Sequence, residues 1–165
     1  MISFRPLAAE DMAVLHEWLA RPHVSQWWGE AETLAEVEAD YLTMIAPEST
    51  TRGYIASSAG HPIGFLQSYV VKDSGDGWWE QETDPGARGI DQFLANAEQL
   101  GRGLGSAMVR TFVDELLRDP SVSLVQADPS PDNERAIRSY ARAGFVAQRE
   151  VTTPDGRALL MVRRR

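Results

Sequence analysis

A glycine-rich segment in the second half of the chain has the spacing of an anion-binding loop. It reads Leu100-Gly101-Arg102-Gly103-Leu104-Gly105 and lies between a predicted strand and a predicted amphipathic helix. Alternate glycines let main-chain N–H groups turn toward one point, and a helix N-terminus adds partial positive charge there. Ser106 and Ala107, which follow, are small enough to let a ligand approach closely. The segment therefore predicts a site for a diphosphate group.

The details of this loop exclude two common classes of phosphate site. No Lys-Ser or Lys-Thr pair follows the last glycine, so it is not a Walker loop. The glycines also lack the G-x-G-x-x-G spacing of a dinucleotide loop, and no acid stands at a strand end about 20 residues further on. The diphosphate of an acyl-CoA is the interpretation that remains.

A second candidate feature is the acidic segment from Asp73 to Asp91, in which Arg88 is the only basic residue. The acids are Asp73, Asp76, Glu80, Glu82, Asp84 and Asp91. Such a segment is either a solvated loop or a binding surface for a cationic small molecule. Trp78 and Trp79 interrupt it, which is unusual for a loop that only confers solubility. The sequence leaves both interpretations open.

Hydrophobic periodicity predicts the elements that position these two features. Strands are predicted over residues 2–6, 52–57, 63–71, 90–95, 122–127, 146–151 and 158–162. Four helices are predicted. The first two cover residues 11–20 and 34–45, and the third follows the glycine loop directly. The fourth begins at Asp132 or Asn133, runs through Tyr140 and ends at Gly144. Residues 73–89 are predicted to form a long loop and residues 163–165 a frayed tail. We expect one domain over residues 1–165, with an α/β fold whose mixed central sheet is flanked by helices.

Composition restricts the chemistry and the partners. Because the 165 residues include no cysteine, disulfides, cysteine metal sites and a covalent cysteinyl intermediate are excluded. The three histidines form no ligand pair, so we expect no metal. A net charge of −8 argues against nucleic acid as a partner. No apolar run approaches the roughly 20 residues that span a membrane, and no signal peptide is visible, so we expect a cytoplasmic protein.

Two motifs resemble those of the GNAT acetyltransferases. The glycine loop is similar to Q/R-x-x-G-x-G/A, with Leu100 where the superfamily usually has Gln or Arg. Residues 133–145 are similar to the second signature, N-x-x-A-x-x-x-Y-x-x-x-G-F. The resemblance implies a single-domain GNAT fold with acetyl-CoA as co-substrate. The expected acetyl-CoA-binding residues are Phe93, Leu94, Ala95, Leu100, Gly101, Arg102, Gly103, Leu104, Gly105, Ser106, Asn133, Ala136 and Tyr140.

A finer resemblance covers almost the whole chain. Residues 75–80, 84–86, 88–92, 128–131 and 152–156 are similar to segments of the aminoglycoside 6′-N-acetyltransferases, which acetylate kanamycin- and tobramycin-like drugs and confer resistance. The resemblance implies that Asp91 is the base and Tyr140 the acid. It further implies an acceptor pocket containing Asp76, Trp79, Asp91, Asp128 and Asp155. Trp28 and Tyr41 are expected either to add aromatic walls to the pocket or to pack in the core, and Trp27 is expected to be buried structure.

These roles agree with what acetyl transfer requires. An acceptor amine with a pKa of about 10.4 must lose a proton before it attacks the thioester, and a leaving thiolate with a pKa of about 8.5 benefits from gaining one. Asp91 is a good base only if desolvation raises its pKa. Alternatively it holds the ammonium in place while water takes the proton, or it is a structural strand-edge acid. Tyr140 is either the proton donor or a packing residue.

Other functions fit parts of the same pattern. A GNAT enzyme that acetylates a siderophore-precursor hydroxylamine or a protein N-terminus is one alternative, and a CoA-binding regulatory module without turnover is another. The acidic segment with its tryptophans favours a small polycation instead. We therefore expect an aminoglycoside as the partner, direct attack in a ternary complex, no contact with nucleic acid or membrane, and a monomer or weak dimer.

Overall fold

The chain folds into one mixed seven-stranded sheet with five α-helices in a computed structural model that describes residues 1–165. The strands are β1 (Ile2–Pro6), β2 (Thr51–Ser58), β3 (His61–Val70), β4 (Ala87–Leu94), β5 (Leu124–Ala127), β6 (Val146–Thr153) and β7 (Gly156–Arg164). The helices are α1 (Met12–Leu19), α2 (Pro22–Trp28), α3 (Leu34–Tyr41), α4 (Leu104–Leu116) and α5 (Glu134–Arg142). Short 3₁₀ helices occupy Ala9–Asp11, Leu42–Ile45 and Ala97–Gln99.

The strand order is β1-β2-β3-β4-β5-β7-β6. The pair β4–β5 is parallel, whereas β1–β2, β5–β7 and β6–β7 are antiparallel. The predicted α/β class with a mixed sheet is therefore confirmed, and all seven predicted strands are present. None of the helices is both long enough and apolar enough to cross a membrane.

The structure contains one helix that was not predicted, and one strand begins earlier than predicted. Helix α2 was not predicted from the sequence, although Pro22 occupies its first turn, where the missing N–H of proline costs no hydrogen bond. Strand β4 begins at Ala87, three residues before the predicted start at residue 90. Its first residues are Ala-Arg-Gly, which have little strand propensity, so pairing with β5 rather than local preference sets the boundary.

The chain divides into two compact units. One contains Met1–Gln67 and Gln92–Leu100, and the other contains Ser68–Asp91 and Gly101–Arg165. The single domain expected over residues 1–165 stays a prediction.

The first unit has a core rich in aromatic rings. Phe65 is fully buried, and the rings of Trp28, Tyr41 and Phe93 lie around it with centroids 5.7 to 5.9 Å away. The Arg21 side chain donates hydrogen bonds of 2.7 Å to the Ala95 carbonyl and to Asn96 Oδ1, which connect α1 and α2 to the segment that follows β4. Edge-to-face ring contacts and buried apolar area together stabilise this core.

In the second unit, α4 buries most of the apolar stripe predicted for it, which comprises Val109, Phe112, Val113, Leu116 and Leu117. The first three of these residues and the neighbouring Met108 are buried, whereas Leu116 and Leu117, at the C-terminal end of the helix, are only half-buried.

The C-terminal arginines do not form a frayed tail, so that prediction was wrong. Arg163 and Arg164 belong to β7, and Arg163 forms an ion pair with Asp114. Arg165 donates to the carbonyls of Asp119 and Val122 at 2.6 and 2.7 Å. Pairing with β5 extends order to this end of the chain, because Leu124 lies opposite Arg164 in the β5–β7 register.

Candidate active site

The glycine loop has the backbone conformation that an anion-binding helix start needs. Gly103 lies directly before α4 with a φ of 82°, a left-handed conformation that glycine adopts without steric cost. Its carbonyl accepts hydrogen bonds from the Ser106 hydroxyl at 3.1 Å and the Ala107 N–H at 3.0 Å. The N–H groups of the first helical turn have no partners within an α-helix and face the loop. These donors suit a diphosphate, so the residues present fit the predicted ligand.

The second motif forms the start of α5. The Asn133 side chain accepts a hydrogen bond from the Ala136 N–H at 3.2 Å and thereby caps the helix. Tyr140 is buried, and its ring lies 5.4 Å from that of Phe145. Asn133, Ala136 and Tyr140 thus have structural contacts of their own, in addition to the acetyl-CoA contacts predicted for them.

Three of the predicted acids lie close enough to interact in the second unit. Gly89 on β4 is opposite Gln126 on the parallel strand β5, so Asp91 and Asp128, each two residues further on, project from the same end of neighbouring strands. Asp155 lies in the turn where β6 passes into β7. Burial, together with the charges of Asp91 and Asp155, raises the pKa of Asp128 to about 8. Asp128 is therefore largely protonated at neutral pH.

Tyr69 is a neighbour of these carboxylates that the sequence reading missed. Burial raises the pKa of its phenol well above the usual value, and the charges of Asp91 and Asp128 act in the same direction. Gln126 is also buried, and its Nε2 has no hydrogen-bond partner. A clue to this residue was present in the sequence, because it is the single amide in the otherwise apolar strand Leu-Val-Gln-Ala.

Trp79 lies beside the same group. Its side chain packs with Tyr69 and Val151 against a buried cluster that includes Leu124 and Leu160. Its φ is 48°, a left-handed conformation that costs about 1–3 kcal/mol for a residue with a large side chain. The indole Nε1 is buried without a hydrogen-bond partner. The fold therefore holds this indole in place despite a conformational cost and an unused donor.

Asp76 lies at the surface of the protein. It is exposed with a φ of 54°, inside a turn closed by a bridge between Gly75 and Trp78. A side chain added at Gly77 would come within 3.6 Å of Pro154, so this turn borders the β6–β7 turn that carries Asp155. The acidic segment is thus partly solvated loop and partly the edge of the carboxylate cluster.

In the first unit, a cavity of about 630 Å³ includes Trp28 and Tyr41 in its lining. Trp28 Nε1 donates to the Tyr41 hydroxyl at 2.8 Å. Glu32 and Asp40 also line this cavity, and burial together with the carboxylates of Asp40 and Glu36 raises the pKa of Glu32. Trp27 is 46% exposed, so the expectation that it is buried was wrong; α2 turns it outward while Val24 faces the core.

The end of β4 also lies in the first unit. Phe93, Leu94 and Ala95 are buried. The Leu94 carbonyl contacts His23 Nε2 at 2.8 Å, and the Ala95 N–H donates to the Ile63 carbonyl at 2.8 Å. These main-chain groups therefore have protein partners, and the acetyl-CoA contacts expected of the three residues stay a prediction. No group of three or more His, Cys, Asp or Glu side chains is arranged to hold a metal ion.

Comparisons with known proteins agree with this geometry. Residues 8–153 match the family model described as an acetyltransferase (GNAT) domain. The chain is 53% identical to aminoglycoside N(6′)-acetyltransferase type 1 of Klebsiella pneumoniae, over 99% of this chain and 83% of that protein. It is 62% identical to a kanamycin resistance protein of Rhizobium radiobacter, over 53% of this chain and 82% of that protein.

A solved structure extends the agreement to three dimensions. The crystal structure of aminoglycoside acetyltransferase AAC(6′)-Ib in complex with coenzyme A and kanamycin superposes with a TM-score of 0.96 at 53% identity. The match covers 100% of this chain and 95% of that one. The resemblance drawn from the two sequence motifs is thereby confirmed, and the chain belongs to the aminoglycoside N(6′)-acetyltransferase family of GNAT acetyltransferases.

Proposed function

We propose that this protein transfers the acetyl group of acetyl-CoA to the 6′-amine of kanamycin- and tobramycin-like aminoglycosides and so confers resistance to them. Its relatives carry names of this activity, and solved structures of the family contain coenzyme A with kanamycin or ribostamycin. The observation on this chain that carries the proposal is the cluster of Asp91, Asp128 and Asp155. A multiply protonated sugar needs several carboxylates close together, and its ammonium groups favour the ionised form of Asp128 when they bind.

The carboxylate cluster supplies the proton acceptor. The acceptor nitrogen arrives as an ammonium and must lose one proton before its lone pair can attack the thioester carbon. Asp91 holds this ammonium and accepts its proton, directly or through one water. The pKa of Asp128, about 8, keeps most of that side chain neutral near pH 7, which limits repulsion between the two carboxyl groups.

The second half of the reaction releases the thiolate. The new C–N bond forms on the thioester carbon, the C–S bond breaks, and the sulfur takes a proton from the Tyr140 hydroxyl. The nitrogen then loses its second proton, which restores the Tyr140 hydroxyl through solvent, while the first proton passes from Asp91 to water. The products are the acetamide and free CoA. No covalent enzyme intermediate is required, because both substrates are present together and the chain contains no cysteine.

The glycine loop holds the acetyl donor. Residues 101–106 direct main-chain N–H groups at the CoA diphosphate, and the N-terminal end of α4 adds its partial positive charge. Because backbone groups supply this contact, Leu100 at the usual Gln or Arg position does not prevent binding. The acceptor surface also includes Asp76, Trp79 and Asp155. Trp28 and Tyr41 contribute aromatic contacts to the aminoglycoside. A cytoplasmic location and a monomer or weak dimer complete the proposal.

Location of the acetyl group tests the function. Kanamycin incubated with the protein and acetyl-CoA is expected to gain one acetyl group at the 6′ nitrogen, detected by tandem mass spectrometry. A matched aminoglycoside with a 6′ hydroxyl, a hydroxylamine and a short peptide serve as comparison acceptors. Acetylation of the hydroxylamine or the peptide in preference to kanamycin would reject the proposal.

A charge-matched pair of variants tests the proton acceptor. Asp91→Asn is expected to lower kcat by about 10²–10⁴-fold with little change in KM for acetyl-CoA, because it removes the acceptor and leaves the loop intact. Glu115→Gln, which removes one exposed carboxylate on α4, is expected to match the wild type. Full activity of Asp91→Asn would remove Asp91 from the mechanism.

A further inference from the structure

We propose that Tyr69 is a positioning residue of the acetyl-transfer site, whose hydroxyl donates to one carboxyl group of the Asp91–Asp128 pair and orients it toward the incoming ammonium. This inference rests on the proposed function, and it adds a residue that neither the sequence motifs nor the acidic segment indicates. Tyr69 lies near the end of β3, outside every segment that the resemblance to the family singled out.

The Tyr69 ring lies against Gly89 of β4. A Cβ atom added to Gly89 would lie 2.1 Å from Tyr69 Cζ and 2.5 Å from the Tyr69 hydroxyl oxygen. The phenol end of the ring therefore lies directly on the backbone of β4 at Gly89. Only glycine leaves this space, so the sequence at position 89 and the placement of the ring depend on each other.

The Tyr69 ring lies on the face of the sheet that carries the Asp91 side chain. Side chains two residues apart on a strand point to the same face, which places Asp91 on the face that Gly89 leaves to the ring. Gln126 is the register partner of Gly89, and Asp128 follows it by two residues. From the position of the Tyr69 hydroxyl at Gly89, Asp91 follows toward the C-terminal end of β4, and Asp128 follows directly after β5. Burial raises the pKa of the phenol most, and the charges of Asp91 and Asp128 act in the same direction.

The Tyr69 hydroxyl is able to donate a hydrogen bond. The raised pKa keeps the phenol protonated at neutral pH, so its O–H is available as a donor, and a carboxylate is the best acceptor nearby. The N–H groups of Trp79 and Gln126 lie close enough to the phenol to lower its pKa, and neither completes a hydrogen bond. Because these two neighbours are donors, the phenol proton is best directed at the carboxyl group of Asp91 or Asp128.

These contacts have a consequence for proton transfer. The charged groups that act on the phenol are Asp91 from β4 and Asp128 after β5, and Asp155 acts on Asp128 in turn. A hydrogen bond donated by Tyr69 stabilises the ionised form of whichever carboxyl group receives it. Tyr69 thereby keeps one member of the pair ionised and ready to accept the amine proton. Loss of the hydroxyl should raise the pKa of that group.

The variant Tyr69→Phe tests the inference, since it retains the ring and removes only the hydroxyl. The full-length enzyme is assayed with kanamycin and acetyl-CoA between about pH 5.5 and 9.5. We expect kcat/KM for kanamycin to fall about 10–100-fold, as for other residues that orient a reacting group. The acidic limb of the pH profile should move to higher pH, while KM for acetyl-CoA and the thermal midpoint stay near wild-type values.

A second variant separates positioning from packing. If Tyr69 acts through the carboxyl pair, Tyr69→Phe should have a smaller effect in an Asp128→Asn background than in the wild type. An unchanged pH profile for Tyr69→Phe, whatever its rate, would overturn the inference. A wild-type enzyme that leaves aminoglycosides unmodified would overturn the proposed function and this inference together. If the wild type acetylates kanamycin and Tyr69→Phe has the same kcat/KM and the same pH profile, the inference alone is overturned.

Discussion

The indole Nε1 of Trp28 donates a hydrogen bond of 2.8 Å to the Tyr41 hydroxyl, and both rings meet Phe65 edge-on. Tyr41→Phe would leave this partly buried N–H without its acceptor while preserving the ring contacts. We expect the free energy of unfolding to fall by about 1 kcal/mol, the usual net value of such a bond. Urea denaturation measures this change.

A double-mutant cycle provides the control. Trp28→Phe removes the donor instead of the acceptor, and the combined variant removes both. The hydrogen bond predicts that the two changes together cost less than the sum of the separate costs. Strictly additive costs would show that the contact contributes nothing to stability.

The cap of α5 allows a second prediction. Asn133 accepts a hydrogen bond from the Ala136 N–H at 3.2 Å, one of the donors that a helix start otherwise leaves without a partner. Asn133→Ala is expected to destabilise the protein by about 0.5–2 kcal/mol. Thermal and chemical denaturation should both register the loss.

Asn133→Asp is the matched control, because an aspartate at this position still accepts the bond and suits the positive end of the helix. It should retain nearly all of the wild-type stability. Equal losses for the alanine and aspartate variants would mean that Asn133 stabilises the protein by a contact other than the cap.

The sequence predicted the elements that depend on local pattern. The apolar stripe of α4 and the Pro154-Asp155-Gly156 turn between β6 and β7 both follow from residue spacing, and the structure contains both. Asn133 as the cap of α5 was likewise one of the two predicted starts. Helix α2 was missed because its seven residues are too few to show a helical period.

The site was less accessible to sequence reasoning. Asp91 and Asp128 could be singled out individually, but they become neighbours only because β4 and β5 pair in parallel. Tyr69 carries no motif at all, since its position depends on a third strand and on the space left at Gly89. Trp27 and Trp28 are adjacent in sequence, and only the rotation of α2 determines that the first is exposed and the second faces the aromatic core.

The raised pKa of Asp128 predicts how stability depends on pH. Its pKa of about 8 in the folded protein exceeds the ordinary value of about 3.9, so between these values the folded state binds a proton that the unfolded state has lost. The contribution of Asp128 to stability is therefore fully present below about pH 4 and is lost as the pH rises toward 8. Asp128→Asn should remove this dependence.

Thermal midpoints of the wild type and Asp128→Asn from pH 5 to 8.5 provide the measurement. The variant should gain stability relative to the wild type as the pH rises, because the asparagine stays neutral where the aspartate must ionise. Parallel curves over this range would show that Asp128 titrates near its ordinary pKa and would remove the basis for its neutral form at pH 7.

The contact between Gly89 and Tyr69 allows a final prediction. Gly89→Ala would place a methyl group 2.1 Å from Tyr69 Cζ, so either the ring or the strand must move. We expect a loss of about 1–3 kcal/mol of stability, typical of overpacking, together with reduced kcat/KM for the aminoglycoside. In a Tyr69→Ala background the space is free, and alanine is the better strand residue, so the same substitution should be neutral or slightly stabilising.

Urea denaturation of the four proteins of this cycle measures the coupling free energy between positions 69 and 89. A Gly89→Ala cost that is equal in both backgrounds would show that the strand itself, and not the Tyr69 ring, excludes a side chain at this position.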